Sequence, residues 1–500
     1  MKKYLLEAIV FVCGALVMVF ELVGARILGP YAGTSLFVWT SLIGIILGSL
    51  SLGYFFGGKV SDRHPDYVYF GLIILLAGIA ILATAISKDF VLRYLSVRIF
   101  DIRWLAVVSS IVLFAPGSFF MGMVSPFGVK LKLQVLEKTG STAGNLYAIS
   151  TIGSIAGTFA AGFYLIPAFG SSSLVYFISL VLIACALLIF VSIKKWIEVI
   201  FAVIFLVVNI YFYQRSVLKN QSYVDVDTSY NRVMIYDTKD SKTGKPVKIM
   251  RINDERSSAM FLDDDGLVFQ YLKYYDLVSY YNPDFRKTLM IGGSAYAYPK
   301  HFIKKYPSKE IDVVEIDAQL TELAKAHFGL VENPKLGIFH EDARTFFNHN
   351  TKKYDAIFID VFNSQFTLPF QLTTLEFVQH QYNALNENGL VIVNIISSIR
   401  HKSNEFLLSE AKTFREVFPK VEYFAVADPK NDTLVQNIML IAFRNNQINT
   451  APMSQDSLFG AFLANKIELN IPGEISLLTD DYAPVEYFVS KMISHYYGVD

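Results

Sequence analysis

"TLMIGGSAYAYPKHF", residues 288–302, joins a strand-like apolar run to a helix-like run through a glycine turn. Gly292 and Gly293 end the predicted strand, and Pro299 suits the first turn of the helix that follows. A strand, a glycine turn and a helix in this order are typical of loops that bind nucleotides. The bend then continues as SAYAY, where such loops usually supply more glycine or a carboxylate. The stretch therefore predicts an α/β domain whose nucleoside-binding loop has an altered bend.

The chain after residue 287 repeats this alternation of strands and helices. Five segments have the character of buried strands, and each of the first four is followed by a helix-like segment. In chain order the strand-like segments are KTLMIGG, EIDVVEID, LGIFHED, YDAIFIDVF and NENGLVIVNII. Such alternation predicts a parallel, doubly wound, Rossmann-like sheet with ligands at the carboxyl ends of its strands. KVEYFAVAD and NIMLIAF, near the end, predict a hairpin that adds a reversed strand.

Four features fall at the predicted strand ends. They are the pair Gly292 and Gly293, then Glu315, Asp342 and Asp360. Glu315 lies 23 residues after Gly292, about where a nucleoside site places the acid that binds ribose hydroxyls. Each acid alone could equally be a helix cap or a solvated charge, but four features in register favour a nucleoside site. The absence of G-x-G-x-x-G disfavours NAD, and the absence of a Walker A motif disfavours ATP hydrolysis.

The first part of the chain is a predicted membrane domain. The 500 residues are 53% hydrophobic with a mean hydropathy of +0.39, which is high for a wholly soluble protein. Apolar stretches of about 20 residues, the length needed to cross a bilayer, alternate with short polar breaks. The predicted spans are 4–28, 35–57, 67–87, 104–124, 143–168, 171–192 and 196–213. The sequence thus predicts an all-α, multi-pass membrane domain over residues 1–213.

Charged and small residues occur within these predicted spans. Glu21 and Arg26 lie in the first one, either as an intramembrane functional site or as a pair at the membrane interface. Small residues four apart predict close helix packing. The glycine pairs of this kind are Gly44/Gly48, Gly53/Gly57 and Gly153/Gly157.

The lysine and arginine distribution weakly favours a cytoplasmic N terminus in a prokaryotic cell membrane. Seven spans would then deliver everything after residue 213 to the outer face. This conflicts with the cytoplasmic location expected of a small-molecule enzyme. The overall charge is balanced, with 44 basic and 44 acidic residues, and gives no indication of a nucleic-acid partner.

Residues 214–283 form a predicted small β-hairpin domain before the Rossmann-like domain of 284–500. Short strand-like runs such as NRVMIYD and VKIMRI are separated by turn signals such as DSKTGKP. The eight histidines are scattered, with no HxxxH or CxxC spacing anywhere in the chain. The sequence predicts no metal site.

The second half of the chain resembles the polyamine aminopropyltransferases, known as spermidine synthases. The resemblance rests on the motifs MIGGSAYAYP, VVEID, HEDART, KYDAIFIDVFNS, DTSYNRVMIYD and LLTDDYAPVEYF. The first half resembles the membrane-fused members of this family, through FELVGARILGPYAG, LGYFFGGKVSDR and GNLYAISTIGSIAGTFAAGFYLIPAFG. The nucleoside motifs are shared with the wider class I methyltransferase-type fold.

The resemblance implies transfer of an aminopropyl group from decarboxylated S-adenosylmethionine to a diamine such as putrescine. The nucleoside acts as a co-substrate, and no permanently bound cofactor is implied. By motif, Glu315 would hold the ribose, Asp342 with Ala343 the adenine, and Asp360 would be the acid nearest the attacking nitrogen. Tyr271 would contact the substrate.

Departures from the family pattern fall in the amine site. The glycine loop has Ala295 where the family has an acid, and Asn363 stands where a second acid follows Asp360. Asn231 occupies the glutamine position of an upstream substrate motif. We assign Asn231 and Asn363 to the substrate site together with Tyr271. Loss of acids should weaken binding of a polycation unless other groups compensate.

Three functional hypotheses follow from the sequence. The first is a membrane-bound aminopropyltransferase with an altered donor or acceptor. The second is an S-adenosylmethionine-dependent methyltransferase-like enzyme. The third is a non-catalytic nucleoside or polyamine sensor coupled to a transport-like membrane domain. All three have a lipid bilayer and a small-molecule nucleoside as partners, and a homo-oligomer is a further hypothesis.

Overall fold

Two compact units, Met1–Arg232 and Val233–Asp500, make up the protein in a computed structural model. The first unit is helical, and the second combines strands with helices. The structure describes residues 4–33, 35–99, 101–133, 139–219, 223–253, 255–361, 369–400, 404–448, 450 and 458–496.

Long apolar helices form the first unit. They are α1 Leu5–Ala32, α2 Leu36–Arg63, α3 Tyr67–Ser96, α4 Ile102–Leu133, α5 Thr139–Ala160, a π-helical turn Ala161–Leu165, α6 Ile166–Phe169, α7 Ser171–Ser192 and α8 Trp196–Lys219. Within the described ranges, seven helical segments are long and apolar enough to cross a membrane, and α5, the π-helical turn and α6 together count as one of them. The seven predicted hydrophobic segments are therefore helices of membrane-spanning length.

Glycines bring some of these helices into backbone contact. A Cβ added to Gly53 would lie 2.2 Å from a carbonyl oxygen of α4, and one added to Gly153 would lie 2.2 Å from a carbonyl oxygen of α1. These two glycine pairs pack closely, as predicted. At Gly44 and Gly48 no described atom lies within 4 Å of an added Cβ, so the prediction of close packing within the chain is wrong there.

The charged pair proposed within α1 is not formed. The guanidinium of Arg26 donates a hydrogen bond to the backbone carbonyl oxygen of Ser229. Among the described residues, Glu21 has neither an ion pair nor a hydrogen-bonding partner for its side chain. The two side chains therefore have different surroundings although they lie five residues apart.

A short segment after α8 is fastened to the helices of the first unit. It begins with strand β1, Val224–Asp227. Arg232 donates to the carboxylate of Asp225 at 3.0 and 2.8 Å and lies 3.6 Å from Asp89 of α3. Asp227 accepts a 2.6 Å hydrogen bond from the backbone N–H of Ser171, the first residue of α7. Ion pairs and a helix cap thus hold this segment against α3 and α7.

The second unit begins with the predicted β-hairpin region. Its strands are β2 Arg232–Lys239, whose first residue still belongs to the first unit, β3 Pro246–Ile252 and β4 Glu255–Phe261. β2 pairs with β3 and β3 with β4, both antiparallel, with an irregularity in the register between Met250 and Arg251. The alternation of apolar and polar residues along these strands buries one face, as in other antiparallel sheets.

An eight-stranded mixed sheet forms the centre of the second unit. Its strands are β5 Lys287–Ile291, β6 Glu310–Val314, β7 Leu336–Phe339, β8 Tyr354–Ile359, β9 Leu385–Ser397, β10 Lys420–Ala425, β11 Gln436–Phe443 and β12 Lys466–Ile467, in the order β12-β10-β11-β9-β8-β5-β6-β7. Neighbouring strands among β5 to β9 pair in parallel, whereas β11 pairs antiparallel with both β9 and β10. The predicted doubly wound sheet and its closing hairpin are confirmed.

Helices cover both faces of this sheet. They are α9 Val278–Tyr281, α10 Ala297–Lys305, α11 Ala318–His327, α12 Ala343–His349, α13 Leu375–Ala384, α14 Glu405–Val417, α15 Leu458–Ala464 and α16 Val485–Tyr496, with 3₁₀ helices at Gln270–Leu277 and Phe370–Leu372. One buried cluster includes Phe377 and Phe406, and the other includes Tyr275 and Phe302. Because the strands are buried on both faces, polar groups collect where the parallel strands end.

Candidate active site

Gly292 brings the loop after β5 into contact with the end of β8. Its φ of +90° is a conformation that favours glycine, and an added Cβ would lie 2.1 Å from the backbone carbonyl oxygen of Asp360. The N–H of Gly292 donates to Val314 at 2.9 Å, and the N–H of Asp360 donates to Ile291 at 3.0 Å. A side chain at position 292 would therefore separate the loop from the strand end that carries Asp360.

The bend of this loop is supported by a buried tyrosine instead of further glycines. Ser294 and Tyr296 have φ values of 49° and 55°, both in the left-handed region. The Tyr296 side chain is fully buried, and its hydroxyl lies 2.7 Å from the hydroxyl of Thr321. Thr321 in turn lies 2.9 Å from Nε2 of His340. This chain of hydrogen bonds fixes the bend that the sequence left unexplained.

Glu315 fastens the same loop from the end of β6. Its Oε2 accepts hydrogen bonds from the N–H groups of Gly293 at 2.9 Å and Ser294 at 3.0 Å, and its Oε1 accepts from Asp317 at 3.0 Å. Burial raises the pKa of Glu315, and the three N–H groups offset only part of that effect. Each carboxylate oxygen can accept two hydrogen bonds, so Oε1 keeps capacity for a ribose hydroxyl. The ribose-binding role of Glu315 stays a prediction.

Asp342 caps a helix beyond the end of β7. Its Oδ1 accepts a 3.0 Å hydrogen bond from the N–H of Thr345, and Ala343 is the buried first residue of α12. This is the structural role considered for an acid at a strand end. The assignment of Asp342 and Ala343 to adenine stays a prediction.

Asp360 follows β8 and is held from two sides. The hydroxyl of Tyr271 donates to Oδ2 at 2.9 Å, and the side-chain amide of Asn394 donates to Oδ1 at 3.1 Å. Burial raises the pKa of Asp360 to about 6, although these two hydrogen bonds act in the opposite direction. A carboxylate with this pKa is ionised at neutral pH and is basic enough to accept a proton from an amine.

Tyr271 reaches Asp360 from a 3₁₀ helix, Gln270–Leu277, that packs beneath the end of β8. In the same helix, the hydroxyl of Tyr275 donates to the carbonyl oxygen of Ile359 at 3.2 Å. Burial, and then the charge of Asp360, raise the pKa of the Tyr271 hydroxyl well above its usual value. Tyr271 is therefore a protonated donor toward Asp360 at neutral pH.

Sequence reasoning missed the asparagines behind Asp360. Asn394 lies on β9, and its carbonyl oxygen accepts from the side-chain amide of Asn437 on β11 at 2.9 Å. Buried polar side chains in a sheet need such partners. The signal was present in VIVNII, where one amide interrupts an otherwise apolar strand.

Two of the resemblance motifs are in contact with each other. Arg344 of HEDART forms an ion pair with Asp480 of LLTDDYAPVEYF. Asp480 also accepts from the hydroxyl of Thr374 at 2.7 Å and donates its N–H to Glu376 at 3.0 Å. These contacts connect the C-terminal motif to α12 and to the start of α13.

The last two predicted substrate residues are Asn231 and Asn363. Asn231 belongs to the first unit, where it is buried in a tight turn with Thr228, whose N–H donates to its carbonyl oxygen at 2.7 Å. Asn363 falls in 362–368, which lies outside the described residues. Their substrate-binding roles stay predictions.

The family comparison matches residues 274–451 to the spermine/spermidine synthase domain. A polyamine aminopropyltransferase of Vibrio vulnificus is 23% identical over 276 residues, which cover 51% of this chain and 87% of that protein. A probable polyamine aminopropyl transferase of Bifidobacterium longum is 26% identical over 323 residues, covering 61% and 71% of the two chains. The crystal structure of a probable spermidine synthase from Corynebacterium glutamicum is 25% identical, covers 52% of this chain and 91% of that chain, and aligns with a TM-score of 0.39.

The α/β fold and the family match together indicate a transferase domain. Residues 274–451 match the spermine/spermidine synthase domain, and the chain is similar to the polyamine aminopropyltransferases. The resemblance inferred from the sequence motifs is confirmed for this domain.

Proposed function

We propose that this protein transfers an aminopropyl group from decarboxylated S-adenosylmethionine to a diamine such as putrescine, as an integral membrane protein. The observation that carries the proposal is Asp360, a carboxylate with a raised pKa that a tyrosine and an asparagine hold beside the glycine loop. The relatives named as polyamine aminopropyltransferases support the same reaction.

The chemistry requires alignment of two reactants and one proton acceptor. The lone pair of the amine nitrogen attacks the aminopropyl carbon next to the sulfonium, a C–N bond forms, and the C–S bond breaks. The electron pair of that bond stays on sulfur, so methylthioadenosine leaves as a neutral thioether. The proton lost by the nitrogen passes to Asp360 and then to solvent. Most of the rate enhancement in such a displacement comes from positioning.

The nucleoside is assigned to the loop edge of the sheet. Backbone N–H groups and Glu315 shape this edge, and a nucleoside held there has its sulfonium directed toward Asp360 in our proposal. Ala295 is fully buried, so an acid at that position would have to be desolvated. We therefore place the recognition of the donor's ammonium group on residues other than 295.

Product analysis of the full-length protein in lipid nanodiscs tests the proposal. The protein is incubated with putrescine and either decarboxylated or intact S-adenosylmethionine, and the products are identified by mass spectrometry. We expect spermidine and methylthioadenosine from the decarboxylated donor. Methylated acceptor from the intact donor would instead support the methyltransferase hypothesis, and nucleoside binding without product would support the sensor hypothesis.

Variants make this experiment specific to the site. Asp360→Asn should lower kcat about a hundredfold or more, because it removes the proton acceptor. The matched control is Asp312→Asn, which alters a buried aspartate of β6 bonded to Tyr354 and Lys352. The control should retain turnover, and equal losses in the two variants would count against Asp360 as the base.

A further inference from the structure

Asp276 is a buried carboxylate with four side-chain partners. Its relative exposure is 2%. Lys305 donates to Oδ2 at 2.7 Å, and Nε2 of His301 lies 3.3 Å from the same oxygen. The hydroxyls of Tyr298 and Tyr306 each donate to Oδ1 at 3.3 Å. Both oxygens of the carboxylate are thus fully engaged.

These partners all belong to α10 or to the residue after it. Asp276 itself lies near the end of the 3₁₀ helix Gln270–Leu277, which also carries Tyr271 and Tyr275. Five residues of a 3₁₀ helix span about 10 Å, so the contacts of Asp276 fix one end of a short rigid element and Tyr271 lies at the other. The rings of Tyr275 and Tyr298 pack against each other with a tilt of 59° and centroids 5.0 Å apart, which joins the same two elements between these points.

The carboxylate is charged in the folded protein. Burial raises the pKa of Asp276, but the hydrogen bonds and charges of His301 and Lys305 outweigh burial and leave the pKa below its usual value. A buried charge with this many partners strongly resists displacement, since moving it would leave the charge unpaired.

We propose that Asp276 is a positioning residue of the active site: it fixes the 3₁₀ helix on α10 so that the Tyr271 hydroxyl stays against Oδ2 of Asp360. This inference rests on the proposed function for its kinetic consequence. Its structural content is that Asp276 acts on the carboxylate of Asp360 through the Tyr271 hydroxyl.

The first test is the pH dependence of kcat/KM for the full-length protein and for Asp276→Asn. A Tyr271 hydroxyl that is no longer fixed stabilises ionised Asp360 less, and the pKa of Asp360 rises. The acid limb of the kcat/KM profile should therefore move to higher pH by about half a unit or more. Tyr271→Phe should shift the limb in the same direction. The double variant should shift it no further than Tyr271→Phe alone, because both changes remove the same interaction.

Asp312→Asn is again the matched control. Asp312 is buried and accepts from a tyrosine hydroxyl at 3.0 Å and a lysine at 3.0 Å, as Asp276 does from its own partners, but it lies within β6. It should lose thermal stability without a shift of the acid limb. If Asp276→Asn behaves in the same way, Asp276 is only a structural brace and the proposal is wrong.

A milder variant covers the case in which Asp276→Asn does not fold. Lys305→Met removes the donor nearest to Asp276, and the Lys305 side chain is 38% exposed, so its loss leaves a smaller defect. The acid limb should shift in the same direction by a smaller amount. An unchanged limb in a folded Lys305→Met protein would overturn the proposal.

A second readout separates this inference from the proposed function. Folding raises the pKa of Asp360 from 3.8 to about 6, so its contribution to stability is largest below about pH 4 and is lost as the pH rises toward 6. The difference in Tm between the parent and Asp360→Asn, followed over pH, therefore reports this pKa. The midpoint should be higher in an Asp276→Asn background. A shifted midpoint without any product would refute the proposed function alone, and an unshifted midpoint with product would refute the positioning role alone.

Discussion

Gly292 is the residue at which the backbone geometry of the site is most restrictive. An added Cβ would meet the Asp360 carbonyl oxygen at 2.1 Å in a left-handed conformation. Gly292→Ala should lower the free energy of unfolding by more than about 1–3 kcal/mol, the usual cost of strained backbone, and should also lower kcat. Chemical denaturation and product formation measure the two effects.

Gly329→Ala is the control for the cost of placing a non-glycine residue in a left-handed backbone conformation. Gly329 has a similar φ of +65°, but no described atom lies within 4 Å of an added Cβ. This variant should show only the smaller stability loss and keep its kcat. Equal effects at both positions would mean that contact with Asp360 is unimportant.

The pKa of Asp360 leads to a second prediction at this scale. Burial raises it to about 6, and the proposed base acts only when deprotonated. The kcat/KM should therefore fall about tenfold per pH unit below pH 6 and level off above pH 7. An acid limb near pH 4 would indicate a carboxyl group in ordinary surroundings and would contradict this assignment.

Among the elements, helix α14 carries a buried carboxyl group, that of Glu410, in surroundings that destabilise its ionised form. Glu410 is 3% exposed, its Oε2 has no hydrogen-bonding partner among the described residues, and burial raises its pKa well above the usual value. A raised folded-state pKa means that stability is highest below the unfolded value of 4.5, falls by about 1.4 kcal/mol per pH unit between the unfolded and folded pKa values, and levels off above the folded value. Glu410→Gln should therefore raise Tm more at pH 8 than at pH 5.

Glu405→Gln on the same helix is the comparison for that measurement. Glu405 is paired with Lys491 at 2.6 Å and is 29% exposed. Its substitution should give no gain at pH 8. A Glu410→Gln protein with the same Tm difference at both pH values would show that Glu410 does not titrate in the fold.

Periodicity and turn residues were sufficient to predict most elements but not their partners. The apolar helices and the strands after residue 287 were predictable because each has its own run of hydrophobic residues, bounded by glycine or proline. Gly44 and Gly48 show the limit, since four-residue spacing cannot say whether a second helix lies opposite. The same limit applies to the site, where strand ends indicated Glu315 and Asp360, whereas Asn394 becomes significant only once β9 lies beside β8.

For the whole molecule, the number of membrane crossings is the decisive question. If all seven helices cross, loops alternate between the two sides, and Arg98 and Lys430 share a side opposite to Arg63. A cytoplasmic second unit, as expected of a small-molecule enzyme, would then require an external N terminus, against the weak charge bias. The native cysteines, Cys13 and Cys185, are both buried, so their background labelling should be low.

Labelling with a membrane-impermeant maleimide tests this arrangement. Single cysteines at Arg63→Cys, Arg98→Cys and Lys430→Cys are compared in intact cells and inverted vesicles. We expect Arg98→Cys and Lys430→Cys to label only in inverted vesicles and Arg63→Cys only in cells. Identical labelling of all three would mean that fewer helices cross than their length allows.

β1 and Arg232 are bound to helices of the first unit, and these contacts decide at which residue a fragment of the second unit should begin. The domain limits predicted from composition begin the soluble part at residue 214. A fragment cut there would carry Arg232 and Asp227 but not Asp89 and the start of α7, to which they are bound. In its leading segment Arg232 would keep Asp225 but lose Asp89, and the carboxylate of Asp227 would lose the N–H of Ser171. A fragment beginning at Val233 leaves both partners of each of these interactions in the first unit, outside the fragment.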